Sequence, residues 1–267
     1  MAESIDMAIH QYKQMLNYHN VISFYTDRED GYSCGNYGSF NCNSYCGDVP
    51  DSVHKNRQKL EAWLGGGELI FPKQTHSTNT LIIDKTFLKK ESAVQEKLLN
   101  GIDALITNIP EKVLCISTAD CIPITIYDTQ KQVIAAIHAG WRGTVGKIVK
   151  ECIEIMQNSY ECHPQDLIAN IGPGISVEAF EVGIEVYEAF EKEGFDMWRI
   201  SQFNNSTGKW HIDLKECNKI QLIECGIKEV AIEDCQICTY NNHHKFFSAR
   251  RLTIHSGRIT NGIVLKG

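Results

Sequence analysis

The stretch that most constrains the fold runs from Thr118 to Gly146, TADCIPITIYDTQKQVIAAIHAGWRGTVG. It reads as strand, turn, strand, then a Gly-broken loop into a helix. Ile122, Ile124 and Ile126 recur with a period of two, the signature of extended chain. Asp128 to Gln132 is polar and suits a tight turn. Val133 to Ile137 is a short apolar run, as expected of a strand buried on both faces. Cys121 opens the first strand and His138 closes the second, so an antiparallel hairpin places the two side by side. On their own, a buried free cysteine and a capping histidine would account for both.

A third residue changes the balance. Leu69 to Phe71 is a short strand candidate, followed by Pro72, Lys73, Gln74, Thr75 and His76. One thiolate and two imidazoles suit zinc or copper. Three protein ligands also leave a fourth position open for water or substrate, as a catalytic site requires. The spacing of His76, Cys121 and His138 is not that of a zinc finger, so residue type carries the expectation rather than spacing.

With 267 residues, 43% of them hydrophobic and 22% charged, the chain can bury a sizeable core in one domain. A net charge of −7 argues against a nucleic-acid or anionic-membrane surface, while a local basic pocket for phosphate stays open. No apolar run is long enough to span a bilayer. The acidic N-terminus lacks the apolar core of a secretory signal, so a cytoplasmic location is expected. Eleven cysteines without such a signal imply reduced thiols rather than a disulfide scaffold. Cys235 and Cys238 have CxxC spacing, but no second pair stands at zinc spacing. Cys34, Cys42 and Cys46 fall in a Gly/Asn/Ser-rich segment and read as loop residues.

Along the chain, residues 1–20 suggest an amphipathic helix and Val21 to Tyr25 a strand. A polar loop to Asp51 follows, then a helix to Trp63 with Asp51 as N-cap and Gly65 as its stop. Further strands are expected at Thr80–Ile83, Ile102–Ile106, Val113–Ser117, Leu167–Ile171 and Lys209–Leu214, with Val230–Ile232 as a last core strand. Helices are expected over Leu88–Leu99, Thr144–Asn158, Val177–Gly194 and Lys215–Cys225. Phe246–Arg251 and Ile259–Leu265 close the chain. Strands and helices interleave without a repeat or linker, which predicts a single α+β domain over residues 1–267.

Several motifs resemble the laccase-domain family, also described as polyphenol oxidases, purine nucleoside phosphorylases and peptidoglycan-editing factors. They are Asn41, Gly47-Asp48, Val53 to Arg57, Gln74-Thr-His76, Ile102 to Thr107, Thr118-Ala-Asp-Cys-Ile-Pro123, His138-Ala-Gly-Trp-Arg-Gly143, Ile171-Gly-Pro173 and Phe247-Ser-Ala-Arg-Arg251. The resemblance implies a four-layer α/β/β/α sandwich with mixed β-sheets and a metal held by His76, Cys121 and His138. Three departures touch the substrate edge: Val182 where the family often has Cys, Ala249 where it usually has Tyr, and LTIHSGR after Arg251 in place of DGxTGR.

Two metal chemistries follow. Zinc would lower the pKa of a fourth-position water to about 7, and hydroxide could attack C6 of adenine. The same site could orient phosphate or water toward C1′ of a purine nucleoside, with Arg142 gripping phosphate. Paired with a carboxylate, Arg142 would instead be structural. Asp120 is the candidate general base or the acceptor for a histidine N–H. Arg57 and Arg250 could add positive charge, and Asn41, Gln74 and Ser248 could hydrogen-bond sugar or base; surface ion pairs and turn roles are the plain alternatives. Copper is the other metal, because His2Cys is also the blue-copper set. Oxidising phenols with oxygen takes four electrons, however, and the chain has ten His with no His-x-His pair. Further alternatives are a peptidoglycan-precursor hydrolase on the same metal, a metal-free Cys121/His138 hydrolase, and a non-enzymatic metal-storage module. Under any enzymatic reading the partner is a small molecule, not nucleic acid or membrane.

Overall fold

A computed structural model describes residues 8–267. Its strands are β1 (Ile9–Gln11), β2 (Val21–Thr26), β3 (Glu68–Ile70), β4 (Thr80–Ile82), β5 (Ala104–Thr107), β6 (Lys112–Thr118), β7 (Ile122–Asp128), β8 (Val133–Ala139), β9 (Leu167–Ile171), β10 (Glu181–Val182), β11 (Ser201–Asn204), β12 (Lys209–Ile212), β13 (Ile232–Asp234) and β14 (Ile259–Leu265). The helices are α1 (Pro50–Leu64), α2 (Lys85–Leu88), α3 (Ser92–Leu98), α4 (Trp141–Val145), α5 (Ile148–Tyr160), α6 (Ile184–Lys192), α7 (Met197–Ile200), α8 (Leu214–Glu224) and α9 (Ala249–Leu252). Among the described residues, no helix is long and apolar enough to cross a membrane.

Two mixed sheets stack face to face. One has the order β1-β2-β14-β6-β3 and the other β13-β9-β7-β8-β5-β4, with β6 and β14 lying across β7 and β8. Alternation along each strand explains the layers. In β8, Val133, Ala135 and Ile137 face α5 and α8, while Ile134 and Ala136 face Leu114, Ile116 and Ile263 of the opposite sheet. Both faces of β8 are therefore covered, which is why its sequence is apolar throughout. Helix α5 closes one outer face with Ile148, Val149, Cys152, Ile153 and Met156, a 3.6-residue stripe. Helix α1 closes the other with Leu60 and Leu64 over Phe24, Val113 and Val264. This is the expected α/β/β/α sandwich. Truncating a core residue such as Ile124 to Ala should cost about 2–5 kcal/mol. A three-stranded ribbon, β10-β12-β11, packs beside α6.

Several local expectations are corrected. Residues 1–7 lie outside the described part of the chain; residues 8–20 form β1 and a 3-10 turn at Lys13–Asn17 rather than a helix. Backbone pairing of β1 with β2 wins over the helical spacing. The N-cap of α1 is Val49, with Pro50 in the first turn, and Asp51 sits one residue further in. The excursion at 85–98 is two short helices. The helix expected over Thr144–Asn158 is broken at Lys147, whose φ of 60° is left-handed. The one expected over Val177–Gly194 begins only at Ile184, because Glu181–Val182 pair with Trp210–His211. At the last short strand, Val230 is 92% exposed and β13 is an edge strand parallel to β9.

Candidate metal centre

The hairpin register pairs His138 with Pro123 and Ala139 with Ile122, so Cys121 falls just beyond the ladder instead of opposite His138. The two still meet because the chain turns sharply at Asp120, which has φ 84°. Asp120 holds that turn with both carboxylate oxygens: Oδ1 accepts from Thr239 Oγ1 at 2.6 Å and Oδ2 from the Arg250 backbone N–H at 2.7 Å. The strain of a left-handed non-glycine residue is thus offset by two hydrogen bonds. His76 lies on the loop after β3, also left-handed at φ 62°.

One ligand atom from each of His76, Cys121 and His138 lies within 4.8 Å of the others. The His76 and His138 rings meet edge to face with centroids 4.8 Å apart. His138 is buried, Cys121 half-buried and His76 exposed, so the site has a closed back and an open front. Gly140 shapes that front. A Cβ there would come within 2.8 Å of His76 Cδ2 and 3.1 Å of Cys121 Sγ. Burial pushes the Cys121 thiol up, but the charge and hydrogen bond of His138, followed by those of His76, outweigh it and hold the thiol at about 6. His138 is pushed down by burial, yet the Cys121 thiolate and the Asp103 carboxylate raise it to about 9. A thiolate and two imidazoles form a donor set that fits zinc, with the open front as a fourth position.

Asp103 is the residue that sequence reasoning missed. Its Oδ1 lies 2.7 Å from His138 Nδ1, and its carboxylate accepts the backbone N–H groups of Thr75, His76 and Ser77 at 3.2, 3.1 and 2.7 Å. Ser77 Oγ adds a further bond at 2.7 Å. Burial pushes this carboxyl up, but His138 and Ser77 hold it at about 2. The histidine N–H acceptor is therefore Asp103, not Asp120, whose oxygens are already committed. The signal was available: Asp103 is a lone acid at the mouth of the apolar run Ala104–Ile106, and a fully buried carboxylate needs partners.

The remaining candidates divide. Arg142 is exposed, stacks over Trp141 at 4.2 Å, and forms no ion pair among the described residues. Its short helix, α4, is pinned from α8, where Asn218 Nδ2 donates to Thr144 Oγ1 at 3.0 Å and Gln221 Nε2 to Thr144 O at 2.9 Å. Arg250 is exposed and lies over Phe180, with Nη1 donating to Glu181 O at 3.0 Å. Ser248 is buried with an unpaired hydroxyl. Arg57 donates to Cys42 O at 2.8 Å and stacks over Phe71 at 4.4 Å. Gln74 grips the Ser117 main chain at both ends, at 2.9 and 2.7 Å, and so fixes the loop carrying His76. Asn41 is fully buried, donating to Asp48 at 2.8 Å and accepting from the Arg258 N–H at 3.0 Å. Its amide organises loops and has no donor or acceptor left for a substrate. All eleven cysteines, Cys235 and Cys238 included, are free thiols.

Comparison with known proteins adds three findings. Residues 22–266 match the family model described as multi-copper polyphenol oxidoreductase laccase. A purine nucleoside phosphorylase of Bacteroides thetaiotaomicron is 48% identical over 256 residues, 95% of each chain, and an adenosine deaminase RL5 from an unknown prokaryotic organism is 41% identical over 232 residues, 86% of this chain and 88% of that one. The crystal structure of the Bacillus licheniformis hypothetical protein YfiH superposes with a TM-score of 0.88 at 25% identity, covering 97% of both chains.

Proposed function

The chain belongs to the multi-copper polyphenol oxidoreductase laccase family, and from that premise we propose that it is a zinc-dependent enzyme acting on purine nucleosides. Its reactions would be deamination of adenosine and phosphorolysis of adenosine and inosine, within one laccase-type domain spanning residues 1–267. The observation that carries this reading is the convergence of His76, Cys121 and His138 in one open, three-ligand site. The names of the relatives supply the substrate class.

Zinc bound there would act as a Lewis acid on a water or a substrate oxygen. The protein's own groups do the rest. Cys121 as thiolate and Asp103 as carboxylate bring two negative charges that a divalent cation balances, where a monovalent one would leave a buried charge uncompensated. Asp103 holds the proton on His138 Nδ1 and so turns Nε2 toward the site. Arg142, free of any carboxylate partner among the described residues, presents a planar pair of donors to phosphate. Arg250, over Phe180, lines the substrate edge in this reading.

The copper alternative needs more ligands. His76, Cys121 and His138 are the one such group among the described residues, and residues 1–7 contain neither His nor Cys. The test is one preparation split into zinc- and copper-loaded halves, with metal counted per chain and adenosine, inosine plus phosphate, and a phenol assayed on each. Nucleoside turnover by the zinc form is expected, with slower phenol oxidation only after copper loading. Untouched nucleosides, and phenol oxidation that tracks several coppers per chain, would overturn the reading.

A further inference from the structure

We infer that Asp103 is the positioning residue of the metal centre: one buried carboxylate presets two of the three ligands, so the site exists before the metal arrives. The inference rests on the metal reading above and adds a specific residue to it.

The first half of the argument is register. Ala104 pairs with Ile137 across β5 and β8, and His138 N donates to Asp103 O at 2.8 Å, which makes Asp103 and His138 direct cross-strand neighbours. Side chains opposite each other in an antiparallel ladder share a face. Both therefore point between the sheets, at the strand ends that precede Ala104 and follow Ile137. With Nδ1 held at 2.7 Å by Oδ1, the His138 ring has a single way to face Cys121, through Nε2. A carboxylate behind a ligating imidazole fixes its tautomer and orientation.

The second half is the loop. His76 is exposed and left-handed, a backbone conformation that is uncommon outside glycine and that its surroundings must favour. The three consecutive N–H groups of Thr75, His76 and Ser77 converge on the same carboxylate, so the backbone bend that aims His76 inward is built around Asp103. Burying a carboxylate in this way costs several kcal/mol unless its oxygens are filled. Here His138, three amides and the Ser77 hydroxyl fill them. Neither ligand can lose this anchor without the other losing it as well.

The test is zinc affinity, measured by competition with a chromophoric chelator on metal-free wild type, Asp103→Asn and Ser77→Ala. Asp103→Asn should bind zinc about 10–100-fold more weakly. Ser77→Ala, which removes one bond to the anchor and leaves the His138 contact, should stay within about threefold of wild type. Wild-type affinity in Asp103→Asn would overturn the role of Asp103 while leaving the metal site standing. Failure of the wild type itself to bind zinc would overturn both. Should Asp103→Asn not fold, nitrogen-15 NMR of the zinc-loaded wild type decides: a proton retained on His138 Nδ1 with the metal on Nε2 supports the inference, and metal on Nδ1 refutes it.

Discussion

Gly140→Ala tests the geometry of the centre without touching a ligand. Gly140 has φ −71° and ψ 170°, ordinary extended backbone that alanine adopts freely. Any effect must therefore come from the new methyl group. That Cβ would sit 2.8 Å from His76 Cδ2, whereas ordinary contact begins near 3.4 Å, so the ring must retreat by 3.4 − 2.8 = 0.6 Å or swing aside. Cys121 Sγ, at 3.1 Å, is also crowded. Metal–ligand distances tolerate about ±0.2 Å, so a 0.6 Å retreat pulls His76 out of coordinating range. Only the exposed His76 ring has to give way, while its backbone stays anchored on Asp103, so the metal-free fold should lose little. Restricting the unfolded chain even returns about 0.4–1 kcal/mol. We expect zinc affinity to fall about 10–100-fold, about 1.4–2.7 kcal/mol, while the metal-free melting temperature stays within about 3 °C. Chelator competition and thermal unfolding of both metal-free proteins measure the two quantities. Unchanged zinc affinity would refute the account of Gly140 as the residue that shapes the front of the site. A melting temperature lowered as much as the affinity would show that the methyl group disturbs the fold instead.

Arg142→Lys should reduce phosphorolysis of inosine far more than deamination of adenosine, since an ammonium cannot reproduce the planar fork; equal losses in the two assays would make Arg142 a structural residue. The depressed Asp103 carboxyl stabilises the metal-free fold fully above about pH 4, and that stability is lost as pH falls through about 2. The contribution is roughly 2 kcal/mol, so Asp103→Asn should flatten the acid limb of a denaturation series, and identical limbs would refute it. Alkylation of metal-free Cys121 should rise with a midpoint near pH 6, where a free cysteine titrates near 8.5, and zinc should block it; a midpoint above 8 would show that the two histidines do not hold the thiolate.

The parts of this protein legible from sequence are those where local pattern and burial agree. Ile122, Ile124 and Ile126 alternate because one face of β7 meets α5 and α8, and Val133–Ile137 is apolar throughout because β8 is covered on both sides. The stripe on α5 follows from the same logic. The three candidate ligands stood out by residue type at strand ends, and the structure brings them within 4.8 Å. Where long-range pairing competes with local spacing, the sequence alone misleads. Residues 8–20 have helical spacing but pair with β2, and Val177–Phe180 are drawn out of a helix by the Glu181–Val182 ladder. The roles of the two aspartates were decided in the same way. Asp120 adjoins Cys121 in the chain and looked like the partner of a histidine; Asp103 lies 35 residues from His138 and is that partner. Adjacency in sequence says nothing about which carboxylate stands across a ladder. That depends on the register of β5 against β8, set by packing over the whole sandwich. Residue types and strand patterns were written in the chain; which oxygen meets which nitrogen was settled only when the two sheets closed.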